Sequence, residues 1–274
     1  MGVGYTTIMY DGESLYDGVS DVGACQYDGI EIGLEKVRYA GPDTVAGWLD
    51  EFDLEMYLVM GEWMTDDAAV ERIADGARVA ADLGAPFLGM LPPQRGRHGD
   101  KTVAEWFDTI AEAAADAGVT PLIHHHGATH VESLREVHEW LDRTPDNVKL
   151  LWDTAHHYPY GEHYPEGDVT DGVERFADDI AYVHLKDVAP PTEFTSHRDS
   201  LTEGDFHLDD VMNYFRSFTD LGDGTIDFGG VREALTAVGY DGHYTIEIEN
   251  RISKPLVHAK ENFDYWQSLG EVGV

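Results

Sequence analysis

Four short apolar segments in the later part of the chain each end in side chains that commonly bind metal ions. These segments are Val119–His126, Val148–Asp153, Ile180–His184 and His243–Glu247. Their aliphatic and β-branched composition is typical of buried strands. An ionisable group in an apolar strand is costly unless it is paired or binds a cation. We therefore expect the four strand ends to converge on one ion.

The candidate ligands combine imidazole and carboxylate groups. They are His124, Asp153, His184 and Glu247. Mixed nitrogen and oxygen donors suit Mn²⁺, Co²⁺, Fe²⁺, Mg²⁺ or Zn²⁺ and argue against a thiolate site. Such a divalent ion polarises a carbonyl or hydroxyl group and stabilises a developing enediolate. A metal-dependent enzyme is therefore the favoured functional class.

Strand periodicity adds further polar side chains to the predicted site. Alternate residues of a strand share a face. The pairs that share a face are His124 with His126, His184 with Lys186, and Glu247 with Glu249. One inward face can thus supply both a ligand and a neighbouring acid, base or electrostatic group.

Strand-like and helix-like segments alternate along the whole chain. The other predicted strands are Val3–Tyr10, Gly29–Gly33, Leu54–Met60 and Ala85–Leu91. The predicted helices are Asp67–Leu83, a segment from Asp100 or Thr102 to Gly118, Val131–Leu141, Val231–Val238, and Phe263–Leu269 within a terminal helix. Eight strands followed by helices or loops over roughly 250 residues predict an α/β fold, a (β/α)₈ TIM barrel.

We expect residues 1–274 to form this barrel as a single domain. An open doubly wound sheet is the rival architecture, but no G-x-G-x-x-G motif follows the first strand. The longest stretch predicted to be irregular is Ala189–Asp209 after the seventh strand. Loops of this length are usually functional or mobile, so this stretch is a candidate lid or substrate loop.

The charge balance limits the partners that the chain can have. It carries 53 acidic against 18 basic residues, a net charge of −35, with the acidic residues spread over predicted helix faces. This pattern resembles halophilic proteins from salt-rich cytoplasms. It disfavours nucleic acid and anionic membranes as partners. The lone Cys25 and the absence of a recognisable secretion signal predict a cytoplasmic location.

Several motifs resemble the xylose-isomerase-like barrel superfamily, which contains sugar isomerases, epimerases, inosose dehydratases and DNA-repair endonucleases. The motifs are YDGIEIG (Tyr27–Gly33), WDTAH (Trp152–His156), VHLKDV (Val183–Val188), LGDGTIDFGGVREAL (Leu221–Leu235) and GYDGHYTIEIEN (Gly239–Asn250). The resemblance implies metal ligands at Asp153, His184 and Glu247. It also implies that His156 faces the substrate. The net charge makes the endonuclease activity improbable.

The fourth ligand separates the chain from the epimerases of this superfamily. In those enzymes a glutamate on strand five is a ligand, and it acts with the strand-eight glutamate from opposite faces of one carbon. His124 occupies that place here. The segment HHHGAT (His124–Thr129) is instead similar to strand five of inosose dehydratases.

The resemblance therefore favours a metal-dependent lyase that acts on a keto-sugar or keto-polyol through an enediolate and removes water by β-elimination. Dehydration requires one base and one acid. The candidates are Glu247, His126, His156 and Lys186, and the sequence leaves their individual roles open. The alternative is a sugar isomerase or epimerase, of the ketose 3-epimerase or hydroxypyruvate-isomerase type, on the same metal site. Barrels of this type often form dimers or tetramers, so a homo-oligomer is also open.

Overall fold

Eight parallel strands close into a barrel in the computed structural model, which describes residues 2–249 and 253–271. The barrel strands are β1 (Val3–Thr6), β2 (Gly29–Gly33), β3 (Glu55–Trp63), β4 (Phe87–Leu91), β5 (Thr120–His124), β6 (Lys149–Asp153), β7 (Ile180–Leu185) and β10 (Tyr244–Ile246). Each pairs with the next barrel strand along the chain, and β1 pairs with β10 to close the ring. The predicted (β/α)₈ barrel is confirmed.

Helices cover the outside of the barrel and follow most of its strands. They are α1 (Leu15–Ala24), α2 (Leu34–Ala40), α3 (Pro42–Phe52), α4 (Asp67–Asp82), α5 (Asp100–Ala117), α6 (Leu134–Arg143), α7 (Thr154–His157), α8 (Thr170–Arg175), α9 (Phe194–Glu203), α10 (Leu208–Phe215), α11 (Phe228–Ala237) and α12 (Pro255–Glu271). Two short strands, β8 (Asp187–Val188) and β9 (Phe218–Thr219), form an antiparallel pair outside the barrel. Within the described ranges, no helix combines the length and apolar character that crossing a membrane requires.

Side-chain caps fix where two of the helices begin. The carboxylate of Asp66 accepts a hydrogen bond from the backbone of Ala69 and starts α4. Ser133 and Glu136 form a reciprocal capping box that starts α6. The prediction placed the start of this second helix at Val131, which is wrong. The backbone carbonyl of Val131 accepts from His126 and holds a loop at that point.

The prediction of an irregular segment over Ala189–Asp209 is also wrong. This stretch contains α9 and the first residues of α10. Only Phe194 and Leu201 of α9 are buried. Two apolar anchors in ten residues give too weak a helical periodicity to recognise from sequence.

Apolar side chains fill the barrel beneath the ends of its strands. Leu122, Leu151 and Tyr182 are fully buried in one cluster inside the barrel. Each lies two residues before a predicted metal ligand on the same face of its strand. Full burial of such side chains contributes about 1.5–3 kcal/mol each. The polar strand ends therefore lie directly above a closely packed layer of buried apolar and aromatic side chains.

Candidate metal centre

The four predicted ligands meet at the carboxyl end of the barrel. His124 ends β5, Asp153 ends β6, His184 lies in β7 and Glu247 directly follows β10. One ligand atom from each residue lies within 4.8 Å of the others. Their separations are 3.5 Å from His124 Nε2 to Asp153 Oδ2, 3.8 Å from His184 Nδ1 to Asp153 Oδ2, and 3.2 Å from His184 Nδ1 to Glu247 Oε2.

Three of the four converging atoms lack hydrogen-bond partners. Within residues 2–249 and 253–271, His124 Nε2, Asp153 Oδ2 and His184 Nδ1 have none, whereas Glu247 Oε2 is paired with the ammonium of Lys186. All four residues are buried. Leaving one buried polar group unsatisfied costs about 1–3 kcal/mol. A divalent cation would provide the missing partner for these three atoms and lie beside the Glu247 carboxylate, so the four residues fit a mixed nitrogen and oxygen metal site.

Neighbouring groups orient the candidate ligands. The carboxylate of Glu31 on β2 accepts a hydrogen bond from His184 Nε2–H, over 2.7 Å. This contact leaves Nδ1 of His184 facing the centre. Asp153 Oδ1 accepts from the backbone of Ala155 and His156 at the start of α7, which leaves Oδ2 free. The backbone N–H of Asp153 donates to His125 Nε2.

Lys186 places a buried positive charge beside the centre. Its Nζ lies 2.5 Å from Glu247 Oε2, 2.6 Å from Glu249 Oε1 and 3.7 Å from Asp153 Oδ2. Burial opposes the charged form, but Glu247 and Glu249 outweigh it and raise the pKa of Lys186. For Glu247 burial also opposes ionisation, yet Lys186 and His184 lower its pKa. This lysine is therefore a fixed cation that holds two carboxylates in place.

His126 and His156 lie side by side next to the centre, with ring centroids 3.8 Å apart. Burial lowers the pKa of His126 to about 3 and that of His156 well below its ordinary value, so both rings are neutral. His126 Nδ1 lies 2.8 Å from the carbonyl of Gly127, which can only accept, so the lone pair is on Nε2. Gly127 N donates to His156 Nδ1, so His156 Nε2 carries the proton. One ring offers an acceptor and the other a donor.

A cavity of about 290 Å³ opens onto this centre. Its lining includes the polar groups of Glu31, His124 and Glu247 and the rings of Trp63, His126 and Phe215. Its size is close to the lower end of the range for small-molecule sites, about 300–1,000 Å³. The arrangement can hold a small polar molecule against a cation.

The structure brings all seven predicted site residues together. The metal-ligand candidates meet at one point, Lys186 lies against two carboxylates, and the neutral histidines line the approach. Sequence reasoning assigned no role to Phe215 or Phe218. Phe215 lines the cavity, and the Phe218 ring lies 4.8 Å from Lys186 Nζ. Neither residue has an ionisable group, so nothing in its chemistry marked it as part of the site.

Comparison with known proteins gives consistent matches. A family model described as xylose isomerase-like TIM barrel matches residues 20–269. An inosose dehydratase from Klebsiella pneumoniae (strain 342) is 34% identical over 65% of this chain, and the chain spans 57% of that relative's length. An inosose dehydratase from Lacticaseibacillus casei is 30% identical, with 83% of this chain and 80% of the relative covered.

A solved structure shares the fold at low identity. It is the probable 3-DHS dehydratase of petrobactin synthesis from Bacillus anthracis. The TM-score is 0.74 at 16% identity, and the match covers 97% of this chain and 99% of the other. At this identity the likeness concerns the fold alone.

Proposed function

The chain belongs to the xylose isomerase-like TIM barrel family, and from this we propose that it is a divalent-metal-dependent lyase that removes water from a keto-polyol of the inosose class. The observation that carries the proposal is the convergence of four buried ligand atoms at one end of the barrel, three of which have no hydrogen-bond partner within the described residues. The two inosose dehydratase relatives support the substrate class. The lone Cys25 supports a cytoplasmic location.

In this proposal His124, Asp153, His184 and Glu247 hold Mn²⁺, Co²⁺, Mg²⁺ or Zn²⁺. The bound ion would act as a Lewis acid that makes the hydrogens beside a substrate carbonyl more acidic. Glu31 and the backbone of α7 keep the ligand atoms of His184 and Asp153 turned toward the centre.

Dehydration needs one group that accepts the proton beside the carbonyl and another that protonates the departing hydroxyl. Glu247 and the Nε2 lone pair of His126 are the candidate acceptors. The ammonium of Lys186 is the candidate proton donor, and the Nε2–H of the neutral His156 ring can donate a hydrogen bond to the departing oxygen. The two histidines are in contact and have opposite hydrogen-bonding character. They can therefore serve neighbouring oxygens of one polyol ring.

Product mass is the direct test of this function. The purified protein, loaded with Mn²⁺ or Co²⁺, is incubated with inososes, and the products are read by mass spectrometry. We expect a product lighter by one water. A product of unchanged mass would contradict the lyase and favour the isomerase or epimerase alternative on the same centre. An absence of turnover, together with no bound divalent ion, would contradict both.

A further inference from the structure

A second chamber lies beside the cavity that opens onto the metal centre. It has a volume of about 330 Å³. Trp63, His126 and Phe215 line both spaces, so the two are neighbours that share one wall. We call the second space the side chamber. Its remaining side-chain walls include Pro93, Phe206 and Val211.

The shared wall consists of aromatic rings in mutual contact. The centroid of the His126 ring lies 4.9 Å from that of Trp63 and 5.6 Å from that of Phe215. The same ring lies 5.5 Å from the ring of His124. The side chamber therefore begins one imidazole ring away from the candidate metal centre. A substrate held at the centre could extend into it past this wall.

The two spaces differ in chemistry. Three carboxylates and the His124 ring border only the first cavity, whereas Pro93, Phe206 and Val211 border only the side chamber. Two polar atoms that border the side chamber, Thr129 Oγ1 and Gln94 Oε1, are already engaged within the protein. Thr129 Oγ1 donates to the carbonyl of His126, and Arg97 donates to Gln94 Oε1. A hydroxyl group would lose hydrogen bonds to water on entering this space, while an apolar group would gain by leaving water.

We propose that the substrate is a keto-polyol ring bearing an apolar group on one of its oxygens, an ether or glycoside, and that this group occupies the side chamber. This inference rests on the proposed function and deepens it. The ring would lie in the polar cavity against the metal centre. The apolar group would pass the ring of His126 and pack between α10 and the loop that follows β4. An unsubstituted ring would leave the chamber without a ligand group.

Two experiments test the proposal. Phenyl β-D-glucoside serves as an unreactive probe, with binding followed by calorimetry. Turnover is compared between an inosose and its O-phenyl ether. We expect the glucoside to bind the Mn²⁺-loaded protein at least tenfold more tightly than unsubstituted glucose does. We also expect kcat/KM for the phenyl ether to exceed that for the free inosose at least tenfold.

Filling the chamber should remove both preferences. Val211→Trp places a large ring in the chamber and should bring both ratios close to one; Val211→Phe is the smaller replacement if the first variant has a lowered Tm. Met212→Trp is the matched control, because Met212 is 39% exposed on the same helix and does not line the chamber. Both ratios should persist in it.

The outcomes separate the two proposals. If the inosose and its ether are dehydrated equally well, the side chamber has no role in substrate selection and the lyase stands. If neither is dehydrated, the lyase is contradicted. The binding of the glucoside relative to glucose still tests whether the side chamber accepts an apolar group. Equal binding of the glucoside and glucose, or a phenyl preference that survives Val211→Trp, would overturn the inference.

Discussion

Two buried polar clusters in this protein are built from similar residues and differ in how their atoms are partnered. At the metal centre, the facing atoms of three of the four buried side chains have no hydrogen-bond partner within the described residues. In the second cluster Arg95 pairs with Glu132 and Glu136, and the side chain of Glu132 is fully buried. We call this second group the arginine cluster.

Each carboxylate oxygen of the arginine cluster has a donor. Arg95 donates to both oxygens of Glu136 and to Oε2 of Glu132, and Thr202 donates to the remaining oxygen of Glu132. Ser133 donates to Glu136 as well. The cluster thereby joins the loop after β4 to α6 and α9. Burial of ionisable groups is common to both clusters, so it does not identify a functional site. A functional site is indicated instead by buried polar atoms that converge without hydrogen-bond partners.

The largest expected effect follows from removing charge at the metal centre. Glu247→Gln keeps the shape of the side chain but removes a carboxylate that the proposal uses as ligand and proton acceptor. We expect turnover to fall by on the order of 10²–10⁴-fold. Glu55→Gln, an exposed glutamate at the opposite end of the barrel, is the control and should keep full activity. Near-normal rates in Glu247→Gln would contradict the assignment of the metal centre as the functional site.

A substitution in the arginine cluster should lower the stability of the protein and leave metal binding unchanged. Arg95→Met leaves the fully buried Glu132 without its cation. We expect a loss of about 3–5 kcal/mol in the free energy of unfolding, measured by urea denaturation. The folded variant should still bind one equivalent of metal. Arg143→Met removes an exposed ion pair with Asp100 and should cost less than about 1 kcal/mol. Equal losses in the two variants would contradict a structural role for the cluster.

Metal removal tests whether the unpartnered atoms are a cation site. Exhaustive chelation should abolish turnover, and Mn²⁺ or Co²⁺ should restore it. An ion present at about a hundred times its Kd adds about 2.7 kcal/mol of stability, which corresponds to a Tm change on the order of 5–10 °C. Differential scanning calorimetry with and without the ion measures this change. In His184→Ala the change should disappear. A Tm that does not change when the ion is added would contradict the assignment of these atoms as a cation site.

The difference between the clusters also shows what the sequence could predict. The strand ends were sufficient to predict the convergence of His124, Asp153 and His184, because a closed parallel barrel brings all its carboxyl ends to one rim. Strand β2 has the predicted bounds, since its apolar segment lies between glycines. These results depend on periodicity and topology, which a single sequence carries.

The arginine cluster and the side chamber depend on information of another kind. Arg95 lies 37 residues from Glu132 and 41 from Glu136, and their contact follows from the paths of the loops after β4 and β5. The protons on His126 and His156 are set by the backbone of Gly127. The walls of the side chamber come partly from α10, which begins within the segment predicted to be irregular. Periodicity does not determine loop paths.

A pH experiment sharpens the account of the arginine cluster. Burial opposes ionisation of Glu136, but the hydrogen bonds from Arg95 and Ser133 outweigh it and lower its pKa to about 2 from an ordinary 4.5. The folded pKa is depressed, so the stabilisation is complete above about pH 4.5 and is lost as the pH falls toward 2. The expected size is on the order of 2 kcal/mol.

Urea unfolding of the wild type and Glu136→Gln measures this contribution, and the comparison cancels most of the effect of other carboxylates. The wild type should be more stable at pH 7, and the gap should narrow steadily below about pH 4.5. Glu139→Gln, at a half-exposed carboxylate paired with Arg135, is the control and should show a small gap. A gap that is constant with pH would contradict the depressed pKa.

The smallest expected effect is that of salt on Tm, and it arises from the surface carboxylates and not from the two buried clusters. The net charge of −35 is spread over exposed carboxylates that repel one another. Raising KCl from about 0.1 M to about 1 M shortens the Debye length from about 10 Å to about 3 Å and screens this repulsion. Tm should therefore rise by a few degrees. The stability lost in Arg95→Met should change little with salt, because the side chain of Glu132 is fully buried. A wild-type Tm that is independent of salt would contradict the halophilic interpretation. A salt-dependent loss in Arg95→Met would show instead that solvent ions reach the arginine cluster.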